Sequence, residues 1–205
     1  MPTTDATTED EQVYRASAYS LLAAVLRAPP DQALLDRLAQ LSPGGDAEPG
    51  GDAEPDELLE AMRQVAESVD KFSLGQLDDE YHTLFIGIGR GEVVPYGSWY
   101  LTGYLMEKPL SDLRDDLGML GFERNPDTHE PEDHISAIFE VFSVMIGDGS
   151  SLEMQQNFFN KHMDSWLGRF FTDLGKAGSA NFYRSVARFG AAFIELEKAY
   201  LSMRI

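Results

Sequence analysis

EYHTLFIGIGRGEVVPYGSWY, running from Glu80 to Tyr100, is the stretch from which the rest of the chain is read. Tyr81, Leu84 and Phe85 fall at i, i+3 and i+4, a spacing that predicts a helix over Gln76 to Ile86 with these three side chains on one face. Gly87, Gly89 and Gly91 end it, because glycine adopts positive φ without a steric cost. Pro95 drives Val94 towards an extended conformation and leaves Tyr96, Trp99 and Tyr100 at or near the start of the next segment. Two readings of these rings stand side by side. They form an aromatic rim around a loop, built to hold something, or they are core filler flanking a turn, since aromatic rings bury large areas wherever they sit.

Helical periodicity continues in both directions. Towards the N-terminus, Thr8 and Glu11 have capping-box spacing ahead of Tyr14, Ala18, Leu21 and Val25, and Pro29-Pro30 stops that helix. Asp31 to Leu41 carries Leu34, Leu35, Leu38 and Leu41 on one side. The unit G-G-D-A-E-P then occurs twice between Pro43 and Pro55; a tract of Gly, Pro and acidic residues has nothing to bury, so 43–55 is expected to be a flexible loop. Pro55 suits the first turn of a helix reaching about Val69, with Leu58, Leu59, Met62 and Val65 as its buried stripe.

Beyond the central stretch, Pro109 to Leu120 places Leu110, Leu113, Leu117 and Leu120 on one face and ends at Gly121. Asn125-Pro126-Asp127 is a turn signal. A helix starting at Glu130-Pro131 carries Ile135, Ile138, Phe139, Phe142, Val144, Met145 and Ile146, apolar nearly all round, as a central buried helix is. Ser150 and Glu153 suggest a second capping box. Trp166, Leu167, Phe170 and Phe171 follow, and the last helix repeats Phe182, Val186, Phe189, Phe193, Leu196, Tyr200 and Met203 at steps of four and three. No run alternates apolar and polar residues between turns. The expected class is all-α, a helical bundle of two lobes joined by a hinge, with an N-terminal lobe 1–129 and a C-terminal lobe 130–205.

Composition narrows the partners. The 205 residues carry 35 acidic and 16 basic side chains, a formal charge of −19, which repels nucleic acid and anionic membranes. With no cysteine there is no disulfide, thiolate metal site or cysteine nucleophile. The acidic start M-P-T-T-D-A-T-T-E-D is unlike an export signal, and no apolar run approaches the ~20 residues that span a bilayer. A cytoplasmic protein without stable membrane insertion is expected.

G-I-G-R-G invites a phosphate-loop reading, but position 92, where the dinucleotide fingerprint needs its third glycine, is Glu, and no Walker-type lysine follows. Ser98 is flanked at i−2 and i+2 by Tyr96 and Tyr100, not by the glycines of a nucleophile elbow. H-E-P-E-D-H, from His129 to His134, gathers three carboxylates and two imidazoles. These suit a metal site or an acid/base pair, and a metal-dependent hydrolase using His129, Glu130, Asp133 and His134 is the alternative function. If a helix begins at Pro131, however, Glu130, Glu132 and Asp133 are first-turn acids that complement its dipole, and His134 is a hydrogen-bonded core histidine. His82 and His162 are single imidazoles on helices without an assigned role. No catalytic residue, metal or cofactor is expected.

Taken together, Y-x-x-L-F (Tyr81, Leu84, Phe85), the glycine Gly87, P-Y-x-S (Pro95, Tyr96, Ser98) and E-P-x-D-H (Glu130, Pro131, Asp133, His134) resemble the TorD/DmsD family of redox-enzyme maturation chaperones. The order and spacing of both motifs and the all-helical pattern carry the resemblance. Tyr81 stands where several relatives have Trp, and the duplicated G-G-D-A-E-P unit has no counterpart in the family pattern. The resemblance implies a non-enzymatic cytoplasmic protein that binds the twin-arginine signal peptide, the body, or both, of the catalytic subunit of a molybdopterin oxidoreductase. Such a protein holds its client for cofactor insertion before export. It also implies that E-P-x-D-H lies at the hinge between lobes, and a monomer or a lobe-swapped homodimer. Nucleotide binding, which the family leaves open, finds little support in this sequence.

Under that resemblance the peptide-binding set is Tyr81, Leu84, Phe85, Pro95, Tyr96, Ser98, Trp99, Glu130, Pro131, Asp133 and His134. Guanidinium groups pair with carboxylates, which Glu130 and Asp133 supply with Glu132 and Glu92 nearby. Leu84, Phe85, Pro95, Tyr96 and Trp99 line a groove for the apolar stretch, Ser98 bonds a peptide carbonyl, and His134 orients Asp133 by a hydrogen bond.

Overall fold

A computed structural model describes residues 4–41, 56–124 and 130–203. Ten α-helices occur among the described residues, and the only strand-like feature is a single β-bridge. They are α1 Thr4–Arg27, α2 Gln32–Ala39, α3 Glu57–Ser68, α4 Leu74–Tyr81, α5 Gly97–Thr102, α6 Lys108–Met119, α7 Ile135–Gly147, α8 Leu152–His162, α9 Asp164–Lys176 and α10 Phe182–Met203. A 3-10 turn, Val69–Lys71, follows α3, and a π-helical turn, His82–Ile86, extends α4. The all-α class expected from the sequence is therefore the class observed among the described residues. No described helix is long and apolar enough to cross a membrane.

Helix ends are set by local chemistry, in places one to several residues from where the sequence suggested. Asp31 caps α2 by accepting from the Leu34 N–H at 2.8 Å. Ser73 and Gln76 form a reciprocal capping box on α4. α1 begins at Thr4, so Thr8 lies within it instead of capping it. α8 is capped by Ser151, one residue after the expected Ser150. α7 starts at Ile135 with His134 as its N-cap, so Glu130, Glu132 and Asp133 precede the helix and are not its first turn. In α3 the buried residues are Ala61, Val65 and Ser68, while Leu59 is exposed; the stripe is turned by one position from the expected one. In α7 Val144 is likewise exposed. The loop expected at 43–55 lies outside the described residues.

The chain divides into two compact units, each discontinuous in sequence. One comprises 1–27, 94–167 and 200–205. Its core is the packing of α1 on α7: the Tyr19 ring meets Phe139 and Phe142 edge-on at 5.3 and 4.9 Å. The Ser143 hydroxyl donates to the Ala16 carbonyl at 2.8 Å, and Arg27 pairs with Glu140. Arg15, buried, donates to Gln155 Oε1 at 2.9 Å and lies 4.3 Å over the Tyr200 ring. The other unit comprises 28–93 and 168–199, with Val65, Leu77, Leu84, Phe170, Phe182 and Tyr183 in its interior. Residues 125–129, where the 1–129/130–205 division was expected, lie outside the described residues.

Candidate functional site

Pro95 turns the chain, with the Tyr96 N–H donating to the Val94 carbonyl at 3.0 Å, and the extended backbone at Tyr96 needs a partner for the polar groups around it. It finds one in the segment before α7. Gly97 N–H donates to the Asp133 carbonyl and Ile135 N–H to the Pro95 carbonyl, both at 2.9 Å, so Tyr96 and His134 form an isolated antiparallel bridge. Their rings meet edge to face at 5.1 Å. P-Y-x-S and E-P-x-D-H are thus joined backbone to backbone. Gly97 sits so close to Trp166 that an added Cβ would lie 3.3 Å from the indole, which in turn stacks on Tyr100 at 5.7 Å.

The bridge carries Asp133 inside. Its side chain is buried, with the residue 2% exposed, and Oδ2 accepts from the backbone N–H of Ser98 at 2.8 Å. Asp133 Oδ1 and Ser98 Oγ are both buried and have no hydrogen-bond partner among the described residues. Both residues line a cavity of about 150 Å³ whose apolar walls include Leu113, Ile138 and Trp166 and whose polar side includes Asp112, Lys161 and His162. Those three polar groups have partners of their own. Lys161 Nζ and His162 Nε2 each lie 2.6 Å from Asp116 Oδ2, and Asp112 pairs with Lys108 at 2.6 Å. Burial would raise the Asp116 carboxyl, but the hydrogen bonds from Lys161 and His162 outweigh it and hold the group below its usual range. A buried carboxyl oxygen without a donor among the described residues is what a cationic hydrogen-bond donor would satisfy.

The neighbouring motif residues have other duties. His134 does not orient Asp133: its Nδ1 accepts from the Ser136 N–H at 3.2 Å and lies 2.7 Å from the Ser136 hydroxyl, capping α7. Burial, aided by the charge of Arg27, pushes the imidazole down to about 4, so at neutral pH the ring is neutral with its proton on Nε2. Glu132 lies 2.8 Å from Arg114 and 3.5 Å from Arg124; burial alone would raise its carboxyl, but the Arg114 hydrogen bond and the two arginine charges hold it low. Glu130 is exposed and Pro131 half-buried. Pro95 is buried, with Tyr96 and Trp99 partly exposed beside it.

Tyr81, Leu84 and Phe85 belong to the other unit and are buried, as in the core-filler reading of this stretch. The Tyr81 and Phe85 rings are 5.0 Å apart, and each packs on Tyr183, at 6.1 and 5.3 Å. The glycine loop beyond them is sterically determined: Gly87 has φ +60°, and a Cβ on Gly91 would lie 2.4 Å from the Leu84 carbonyl oxygen. Glu92 is tied to Ser179, whose hydrogen bonds keep its carboxyl low. Sequence reasoning passed over Glu80, a buried carboxylate that accepts the N–H groups of Asn181, Phe182 and Tyr183 at 2.8, 3.2 and 2.9 Å and so caps α10. Only its adjacency to the Y-x-x-L-F motif singled it out. The cavity walls from α6, α7 and α9 were equally unmarked. Among the described residues no three His, Asp or Glu side chains converge as a metal site. His129, one member of the proposed metal cluster, lies outside them.

Residues 48–172 match the family model described as nitrate reductase delta subunit. Among similar curated proteins, the chaperone protein TorD of Vibrio parahaemolyticus is 26% identical over 158 residues, covering 71% of this chain and 73% of its own. The chaperone protein TorD of Shewanella loihica is 30% identical over 146 residues, covering 65% and 66%. A crystal structure described as a candidate redox enzyme maturation protein from Archaeoglobus fulgidus superposes with a TM-score of 0.56 at 18% identity, over 88% of this chain and 93% of that one. That last likeness speaks to the fold.

Proposed function

The chain belongs to the nitrate reductase delta subunit family, with TorD chaperones among its relatives, and from that premise we propose that it is a cytoplasmic redox-enzyme maturation chaperone for a molybdopterin oxidoreductase. It binds the twin-arginine signal peptide of the catalytic subunit, the body of that subunit, or both, and holds the client for cofactor insertion before export. The observation that supports this reading is the pair of buried oxygens without partners among the described residues, Asp133 Oδ1 and Ser98 Oγ, in two residues that line a cavity where P-Y-x-S and E-P-x-D-H meet.

A leader arginine enters the cavity and donates N–H groups to Asp133 Oδ1 and Ser98 Oγ, with Asp133 already oriented by the Ser98 backbone. Leu113, Ile138 and Trp166 supply apolar walls, and an apolar surrounding strengthens charge-assisted bonds. Glu130 is exposed and carries the second guanidinium, and Tyr96, Trp99 and Pro95 offer apolar contact beside it. Glu132 is already neutralised by Arg114 and Arg124 and plays no part in recognition. The overall charge of −19 speeds encounter with a basic leader and makes association slow as salt rises.

Calorimetric titration with a synthetic twin-arginine leader tests this, beside a twin-lysine leader and the Asp133→Asn variant. Asn keeps an acceptor for the Ser98 N–H and removes the charge. Affinity about tenfold weaker in both controls is expected. Equal affinity in all three would remove the carboxylate from recognition, and absence of binding would leave the enzyme body as the client surface.

A further inference from the structure

At the end of α5 and in the turn that leads to α6, four apolar side chains face solvent. Leu101, Tyr104, Leu105 and Met106 are 41, 70, 47 and 72% exposed. Single exposed apolar residues are ordinary, but four within six positions make a patch of the kind that marks an interaction surface. The turn is well defined. Gly103, at φ +82°, closes α5 by donating its N–H to the Trp99 carbonyl at 2.8 Å. The Thr102 hydroxyl donates to the Ser98 carbonyl at 2.9 Å and accepts from the Tyr104 N–H at 3.2 Å. Met106 has φ +59°, the one positive value at a non-glycine residue among those described. An unbranched but bulky side chain held in the left-handed region is a strained arrangement, and such strain is kept where it places a side chain for use.

We propose that this turn seats the apolar segment of the leader, immediately beyond the Asp133 cavity. The inference rests on the leader-binding reading above and adds to it a surface that neither sequence motif contains. Two features select this occupant. The first is continuity: Leu101 and Pro109, on either side of the turn, line the same cavity as Ser98 and Asp133, so a peptide with a basic residue in the cavity reaches the turn within a few residues. The second is charge. Glu107, next to Met106, is exposed and makes no capping hydrogen bond to α6, so an acidic group stands at each end of the apolar patch, suited to an apolar segment with basic flanks. Of the five residues first assigned to the apolar stretch, Leu84 and Phe85 are buried, Phe85 against Tyr183.

The test is titration of the full chain with the leader and with a leader whose apolar segment is converted to serine, each against the native protein and Tyr104→Ser/Leu105→Ser/Met106→Asn. These positions are exposed, so the triple variant keeps its fold, checked by its thermal transition. The native leader is expected to bind the triple variant about tenfold or more weakly, and the serine leader to bind both proteins alike, since the lost contacts are the same ones. Equal affinity of native and triple proteins for the native leader overturns the proposal. If Asp133→Asn weakens binding while the triple variant does not, the cavity reading stands and the turn is not its extension. If the native protein binds no leader, both fall. A concentration-dependent dimer that dissociates in the triple variant, with leader affinity unchanged, assigns the patch to a second copy of this chain and overturns the proposal as well.

Discussion

The backbone N–H of Ser98 holds one oxygen of Asp133 at 2.8 Å, while the Ser98 hydroxyl and the other Asp133 oxygen are buried without partners among the described residues. The two residues are 35 positions apart and are brought together by the bridge between Tyr96 and His134. Because the hydroxyl makes no bond among the described residues, Ser98→Ala is expected to leave stability unchanged or raise it by about 1 kcal/mol, while leader affinity falls several-fold. Asp133→Ala is different: it strands the Ser98 N–H and is expected to cost about 1–3 kcal/mol. Urea denaturation of the two variants, read beside leader titration, separates the folding role of Asp133 from its binding role.

Glu80 satisfies three backbone donors at the start of α10 from a buried position. Glu80→Ala leaves these N–H groups without an acceptor and is expected to lower stability by about 3 kcal/mol, with Glu80→Gln recovering part of it through its one carbonyl oxygen. Amide exchange at residues 181 to 183 should accelerate in the alanine variant. Unchanged exchange would mean that α10 is capped without Glu80.

Gly190 lies against the ring of Phe171, and a Cβ there would sit 2.1 Å from Cε1 and 2.3 Å from Cζ. Helix propensity favours alanine over glycine by about 1 kcal/mol, yet the ring is buried in the core and has little room to move. Gly190→Ala is therefore expected to destabilise by about 1–3 kcal/mol, and the pair Gly190→Ala/Phe171→Leu to recover part of that loss in thermal denaturation.

The His134 imidazole is held near 4 by burial and the Arg27 charge, against an ordinary value of 6.5. The unfolded chain therefore takes up a proton at this site at higher pH than the folded chain does. The sign follows directly: stability is full above about pH 6.5, falls as pH drops towards 4, and levels off below. Across that window the loss from this group is about 3 kcal/mol. His162, also lowered by burial against the pull of Asp116, adds a loss of the same sign. In His134→Asn, which keeps an acceptor for the Ser136 N–H, the slope of stability between pH 7 and 4.5 should flatten markedly. A slope equal to that of the native chain would assign the effect to other groups.

Much of the fold was legible because helical periodicity is local. Leu34, Leu35 and Leu38, then Leu110, Leu113 and Leu117, then Trp166, Leu167, Phe170 and Phe171 are buried where steps of three and four put them. Glycine and proline punctuation was legible for the same reason: Gly87 and Gly121 both take positive φ where helices end. Capping was less so. Glu130, Glu132 and Asp133 looked like first-turn acids, but the bridge to Pro95 fixes the backbone through His134, so α7 starts only afterwards and the imidazole becomes the cap. The one-position turn of the α3 stripe has a similar origin, since which face is buried depends on what packs there.

By itself, then, the sequence determined an all-helical chain, the residues of its two motifs and the family they resemble, because these depend on near neighbours and on residue type. Only the tertiary structure decided that P-Y-x-S and E-P-x-D-H share a backbone bridge and that Asp133 is buried with one oxygen lacking a partner among the described residues. The structure alone also turned Tyr81, Leu84 and Phe85 into core and left Leu101 to Met106 in solvent. Those outcomes rest on contacts between positions tens of residues apart, and the path of the chain that makes them has no local period to betray it.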